Sequence, residues 1–351
     1  MVRKTAILGV FTVGCSGQTD NGFVSVGGEN MAGPGSSELE AWGACGPETE
    51  VEAPSDAVVQ MVPPPGARNV SVHTPAIVFL EEGYDRSDIE YFKVTSNEWA
   101  IDGDIVDLKR GNKTVIGFAP LDPYDVAGEV ELTMQIRKAD GSVDSIDWRF
   151  HTGPYESTAA GDPNLSFESP SSESGIPCEY TFFTDNFIGF GDVAFTSKSA
   201  GNTTATDGLS RLLMTTGEVL GNRSVRATTS FVTSQPLPLV QAPILRFDYQ
   251  FISEEFDENL GSDHDDSFLI MIHGQQNAVL EEVTSVNRIG RSGSSDAEFP
   301  GLVEAEGSEW QQYTVTDFDT VGADATISMF VTDVGNSART TAVSVDNLRT
   351  E

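Results

Sequence analysis

The chain has 351 residues, with 20 Lys plus Arg against 54 Asp plus Glu and a formal net charge of -34. That balance excludes a nucleic-acid binder, which needs a basic face to displace phosphate counterions, and attachment to anionic lipid through a polybasic patch. Hydrophobic residues make up 38 % and aromatic residues 9 %, beside 34 Gly and 17 Pro; such a chain is loop-rich yet able to bury cores, and its length suits about two domains.

Met1-Val2-Arg3-Lys4 is basic, and Thr5 to Gly14 is apolar apart from two Thr. This is the layout of a secretory signal over 1–15, too short to stay as a membrane span. Cys15 directly after Val13-Gly14 resembles a bacterial lipobox, with Thr12 where Leu is usual. The resemblance implies acylation of Cys15, export, and retention at the outer membrane or cell surface through the lipid anchor alone. An ordinary signal with an incidental Cys is the alternative. Residues 16–54 carry seven acids and no Lys or Arg, with Gly27-Gly28 and Gly33-Pro34-Gly35-Ser36-Ser37 among them. They cannot bury enough apolar surface to offset backbone entropy, so a disordered acidic tether is expected. Once Cys15 is acylated, Cys45 and Cys178 remain as an even pair. In an exporting context they are candidates for a disulfide, with two free thiols as the alternative.

Residues 55–153 alternate short apolar segments with turn signals, the pattern of a β-sandwich. Strands are expected at 69–72, 76–80, 92–95, 114–119, 129–137 and 145–151. Leu132, Met134 and Ile136 alternate with Glu131, Thr133, Gln135 and Arg137, giving one buried and one polar face. Asp140-Gly141 signals a tight hairpin turn. The run Pro65-Gly66-Ala67-Arg68-Asn69-Val70-Ser71-Val72-His73-Thr74-Pro75-Ala76-Ile77-Val78-Phe79 resembles the opening of a bacterial Ig-like domain of the S-layer (SbsA) type. Phe118-Ala119-Pro120-Leu121, Gly128 and Trp148-Arg149-Phe150-His151-Thr152-Gly153 match its middle and end. The resemblance implies a spacer that carries another domain away from the surface. His73 and His151 stand singly and are expected to be structural.

Residues 154–177, with Pro154, Gly161-Asp162-Pro163 and Ser169-Pro170-Ser171-Ser172, form a second linker, so the flanking regions are expected to fold separately. Over 178–351 the strongest strand is Ile244-Leu245-Arg246-Phe247-Asp248-Tyr249-Gln250-Phe251, with strict alternation. Phe268 to Ile272 is uninterruptedly apolar, suited to a centre strand covered on both faces. Further strands are expected at 309–315, 325–331 and 341–348, and no helix at Pro236, Pro238 and Pro243. The fold class is therefore all-β: an Ig-like sandwich followed by a jelly-roll-like sandwich.

Between two of these strands, Ser253 to Ser267 holds seven acids in fifteen residues. Carboxylates fixed at both ends of a loop repel unless solvated or neutralised, and calcium with 6–8 oxygen ligands suits an irregular loop. The expected metal ligands are Glu254, Glu255, Asp265 and Asp266, with Asp263 through a water and Asp346 if the last strand lies nearby; a solvated acidic loop is the alternative. Phe247-Asp248-Tyr249-Gln250-Phe251-Ile252-Ser253-Glu254-Glu255-Phe256, then Gly261 and Asp265-Asp266-Ser267-Phe268, resembles the core motif of the choice-of-anchor L domain. Phe330-Val331-Thr332-Asp333-Val334-Gly335-Asn336-Ser337 and Val343-Ser344-Val345-Asp346-Asn347-Leu348 are similar to its close and to that of jelly-roll carbohydrate-binding modules. Phe256 for the usual Tyr and Asp265 for the commoner Asn are mild departures.

The resemblance implies a lipid-anchored cell-surface module for binding, adhesion or structure, taking a polysaccharide or protein ligand and no nucleic acid. The alternative is a surface glycoside hydrolase on a sandwich fold, which needs two carboxylates facing each other across a cleft. Glu254 and Glu255 are adjacent and so point to opposite faces of an extended chain, and no nucleophile motif accompanies His264 or His273. A non-enzyme is expected. Trp42, Trp99, Trp148 and Trp310 are candidate sugar platforms, the last two expected in the core.

Overall fold

A computed structural model describes residues 44–45, 55–68, 70–153, 167, 180–184, 193–196, 205–208, 211–216, 227–234, 236–238, 244–256, 260–261, 265–296, 302, 305–315, 321–322, 324–334 and 340–351. The protein is all-β. Strands β1 (Val58–Val62), β2 (Ala76–Leu80), β3 (Ile89–Ser96), β4 (Gly103–Arg110), β5 (Lys113–Pro120), β6 (Glu129–Arg137) and β7 (Val143–His151) build two four-stranded sheets. One runs β1-β2-β5-β4; the other runs β3-β6-β7 with the short strand Trp99–Ala100 on the outer edge of β3. β6 buries Val130, Leu132, Met134 and Ile136 and leaves the residues between them outward, as its period-two pattern requires. The turn after β6 contains Gly141 at φ 83°, a left-handed position that Gly takes without strain. No strand forms at 70–72: Val70 makes only an isolated bridge to Thr152. Two strands carry weaker alternation and were not anticipated, β1 and β4.

The second region contains β8 (Tyr180–Thr184), β9 (Val193–Thr196), β10 (Arg211–Thr215), β11 (Ala227–Ser234), β12 (Leu245–Ser253), β13 (Ser267–Gly274), β14 (Ala278–Ser285), β15 (Gln311–Val315), β16 (Asp324–Val334) and β17 (Thr341–Thr350). A short helical segment, α1 (Val286–Gly293), follows β14 and breaks at Gly290, where φ is 62°. One seven-stranded sheet has the order β8-β11-β16-β13-β14, with Ala44–Cys45 outside β8 and Leu237–Pro238 beside β16. The other has the order β9-β10-β17-β12, continued by the short strands Glu306–Gly307 and Ser295–Asp296, with β15 also on β12. Phe247, Tyr249, Phe251, Phe268, Ile270, Ile272, Met329 and Val331 fill the space between the two sheets.

Three contacts cross the expected domain boundaries. Ala44–Cys45, within the expected tether, pairs in parallel with Phe183–Thr184, so the tether is held to the second region there. Cys45 stands opposite Thr184; Cys15 and Cys178 lie outside the described residues, and so does most of the tether. Phe167, within the expected linker, is fully buried in the second core. Finally, the two regions are packed together. Leu269, Met271, Leu280, Phe231 and Phe330 leave the second core and join one continuous apolar cluster with Val78, Ile116 and Phe118 of the first region. β13 is thus covered on both faces, as its unbroken apolar run demands: Phe268, Ile270 and Ile272 face inward, Leu269 and Met271 face the first sandwich. A Cβ on Gly117 of β5 would lie 3.0 Å from Met271 Cε, so the absence of a side chain there lets the sheets approach.

Polar groups close the same boundary. Arg110, at the end of β4, donates from Nη2 to the Asp265 carbonyl at 3.1 Å and to Asp265 Oδ2 at 3.3 Å, and from Nε to Glu282. The Arg110 side chain is only 8 % exposed. Gln60 of β1 donates to the Thr229 hydroxyl of β11. His273 at the end of β13 is buried, and burial, followed by the charge of His73, lowers its pKa to about 3.

Candidate metal centre

β12 and β17 are paired with Ser253 opposite Thr341. In the other sheet β13 and β16 are paired with Ser267 opposite Thr332. Both pairs end at the same rim of the sandwich. Glu255 lies two residues past the end of β12, Asp266 one residue before β13, and Asp333 one residue past Thr332. The chain thereby brings three carboxylates from both sheets together. A ligand oxygen from each lies within 4.8 Å of those of the other two, and all three residues are fully buried.

Local geometry fixes each one. The Glu255 amide donates to the Ser253 hydroxyl at 3.0 Å, turning the chain inward after β12. Phe256 follows as an anchor in the core, edge-on to Phe251 with ring centroids 6.4 Å apart. The Thr341 hydroxyl donates to Asp266 and lies 2.8 Å from Ser253 Oγ, which links the sheets across the rim. Beside them the Ser267 and Thr332 hydroxyls are 2.9 Å apart. The Asp266 carbonyl accepts from Val286 N at 3.0 Å, tying the acidic loop to α1.

Of the expected ligands, Glu255 and Asp266 are in the centre and three are elsewhere. Glu254 points the other way, as neighbouring residues on extended chain must, and its Oε2 accepts from Thr340 N at 2.9 Å. Asp265 turns to the first region: it pairs with Arg110 and accepts from Asn287 N at 2.9 Å. Burial pushes its carboxyl above the usual range, against the pull of Arg110. Asp346 sits five residues along β17 from Thr341, about 17 Å at the rise of a strand. There it is buried and accepts from Asp207 N at 2.9 Å, Thr206 N at 2.5 Å and Asn347 N at 2.7 Å. Burial raises its pKa and those amides oppose the rise. It holds the 206–207 segment and is no part of the cluster. Asp263 lies outside the described residues.

Asp333 was not anticipated. It lies near the far end of β16 from Asp324, remote in sequence from the acidic loop; the signal was its place at the end of the run Phe330-Val331-Thr332, where a buried carboxylate needs a reason. Three carboxylates held this close out of water cannot all be ionised without a positive charge among them. The donor set is oxygen only, with no His or Cys, which suits a hard cation. Among the described residues this cluster could hold a metal ion.

No protein-family profile matches the chain, and no curated protein does. Solved β-sandwich structures do, distantly. A structure of carbohydrate-binding modules from the β-sandwich superfamily is 14 % identical, covering 82 % of this chain and 94 % of that one, with a TM-score of 0.28. The K1 cleaved adhesin domain of Lys-gingipain from Porphyromonas gingivalis W83 is 12 % identical over 53 % of this chain and 96 % of that one, TM-score 0.29. The copper resistance protein PcoC from Escherichia coli is 13 % identical over 27 % and 97 %, TM-score 0.23. At such scores they assign no ligand and no activity.

Proposed function

We propose that the protein is a lipid-anchored cell-surface binding or adhesion module, in which an Ig-like sandwich of the S-layer type presents a calcium-stabilised sandwich resembling choice-of-anchor L. The observation that carries the calcium reading is the fully buried cluster of Glu255, Asp266 and Asp333. Glu255, Asp266 and Asp333 would hold the ion, which supplies the positive charge that lets all three stay ionised at the rim where the two sheets end. The anchor at Cys15 and the outer-membrane or cell-surface address rest on the lipobox resemblance. The ligand class, polysaccharide or protein, rests on the resemblance to surface and carbohydrate-binding domains. An enzyme reading gains nothing from the cluster, because carboxylates with no exposed surface cannot reach a polymeric glycan.

Thermal melting in calcium and in chelator, with elemental analysis, tests the metal. A cation that binds only the folded state stabilises it by about 2.7 kcal/mol at a hundredfold excess over Kd. Calcium should raise Tm by several degrees, and Asp333→Ala should remove most of that gain, whereas Asp346→Ala should keep it. Equal melting in calcium and chelator, with no bound metal, would refute the calcium reading. For the anchor, Cys15→Ser should move the protein from the membrane to the soluble fraction and abolish labelling by radioactive palmitate; unchanged fractionation would remove it.

A further inference from the structure

Away from the metal cluster, one corner of the first sandwich presents an aromatic ring to solvent. Trp99 is 77 % exposed, and Leu121 and Val126, on a segment bonded to its own, are about two-fifths exposed. The corner is made of two segments, 96–102 and 120–128, that are laced together. Asn97 Nδ2 donates to Asp125 Oδ2 at 3.1 Å, and Asp125 N donates to the Ser96 hydroxyl at 2.9 Å. Leu121 N donates to the Asp102 carbonyl at 3.0 Å, and Asn97 N to the Glu129 carbonyl at 2.9 Å. Trp99 itself pairs with Ser96 across the turn. The indole is therefore held out on a fixed frame, with only two side-chain torsions to lose on contact.

The frame is strained. Asn97 has φ 46°, Glu98 φ 73° and Ala127 φ 51°. Asn tolerates the left-handed region, but Glu and Ala do so only at a cost. Gly would fit position 98 without strain; what Gly cannot supply is a carboxylate. Glu98 is one of four exposed acids here, with Asp102, Asp122 and Asp125, and neither segment contains Lys or Arg. Of the nearest cations along the adjoining strands, Arg149 is paired with Glu129 and Glu131 and Lys93 lies three residues before Ser96.

We propose that this corner is a docking surface for a basic protein segment, with a Lys or Arg side chain of the partner lying on the Trp99 ring and its neighbours meeting the four carboxylates. An exposed aromatic ring on a frame that carries four exposed carboxylates suits a cation. A neutral glycan would use the ring but gain nothing from the surrounding negative charge. The chain's net charge of -34 draws basic partners in from a distance. This takes the first sandwich beyond a spacer and does not depend on calcium.

The test is binding of a fluorescent hexalysine peptide to the full chain, wild type against Trp99→Ala, Trp99→Phe and the double variant Asp122→Asn/Asp125→Asn. Trp99→Ala changes no charge, so a diffuse attraction to the acidic chain leaves its affinity unchanged. Docking on the ring predicts a loss of about fivefold in Trp99→Ala, partial recovery in Trp99→Phe, and a weaker salt dependence in the double variant. Melting curves of all variants check that they fold. Equal affinity of wild type and Trp99→Ala overturns the proposal. So does binding of a neutral hexasaccharide that is lost in Trp99→Ala while hexalysine binding stays the same, which assigns the ring to glycan.

Discussion

The two sandwiches bury different chemistry. In the first, the buried polar residues are the hydroxyls Ser55, Ser71, Thr74, Thr95, Ser96, Thr114 and Thr152, beside the Arg110 side chain at the boundary. In the second they include Arg211, Gln250, Glu255, Asp266, His273, Asp333 and Asp346. A hydroxyl is satisfied by a nearby backbone group, as Thr152 Oγ1 is by the Asp125 carbonyl at 2.5 Å, and costs little to bury. A buried charge must be compensated by another charge, by several amides or by an ion. Asp346 shows the second solution, and the Glu255–Asp266–Asp333 cluster could use the third. The first sandwich thus turns its one deeply placed cation named above, Arg110, to acids of the second region, while the second buries carboxylates of its own.

The sharpest way to break this comparison is at the boundary the two regions share. Leu269→Ala removes a fully buried side chain that faces the first sandwich. It should cost about 3 kcal/mol by lost burial and cavity formation. Because the cluster is continuous, a single chemical-denaturation transition should shift as a whole. Two separated transitions, only one of which moves, would show two independent units.

A second effect comes from His273. Unfolded, it titrates near 6.5; folded, burial holds it near 3. The unfolded chain binds a proton that the folded chain refuses, so the folded state has its full stability above about pH 6.5 and loses it as the pH falls toward about 3. Between about pH 6.5 and 4.5 the loss should reach about 2.3 kcal/mol. Urea unfolding over that range should show this slope in the wild type and a flatter one in His273→Gln, which has nothing to titrate at that position. An equal slope in both would exclude His273 as the cause.

Arg110→Ala should follow in size. It leaves Asp265 and Glu282, which are about one-fifth exposed, without their cation. A fully buried pair would lose more, so the partial exposure argues for about 2 kcal/mol. Equilibrium unfolding of Arg110→Ala beside Arg110→Lys separates loss of charge from loss of the two-pronged geometry; no change in either variant would remove the clamp. The smallest effect expected is Gly117→Ala. Its Cβ meets the flexible end of Met271 at 3.0 Å, so the sheets should yield for under about 1 kcal/mol. A cost of several kcal/mol would mean that the boundary is stiffer than a methionine end allows.

Much of this was written in the sequence through alternation. β6, β7 and β12 follow their period-two patterns, and the Asp140-Gly141 turn joins β6 to β7 as expected. The run Phe268–Ile272 even implied two covering surfaces. What it could not say is that one cover is the other region, because a stripe such as Leu269 and Met271 carries no mark of its partner. The linker's Gly, Ser and Pro suggested separate folding, and they carry no sign of the contact made by strands on either side of it. The metal cluster was half legible. Alternation selects one of Glu254 and Glu255, and the inward Phe251 and Ser253 fix Glu255, which shares their face. Asp333 required knowing that β13 and β16 are neighbours, a long-range pairing that no local pattern encodes.

The sheet carrying β13 has a consequence for how the chain is made. Its outer face, with Phe231, Leu269, Met271, Leu280 and Phe330, is the sort of flat apolar surface that aggregates when uncovered. A chain folds from its N-terminus as it emerges, so residues 55–153 are in place before 227–334 arrive. The earlier sandwich then acts as a template that the later sheet closes onto. Expressed without its predecessor, the region from 178 onward should be sticky and poorly soluble.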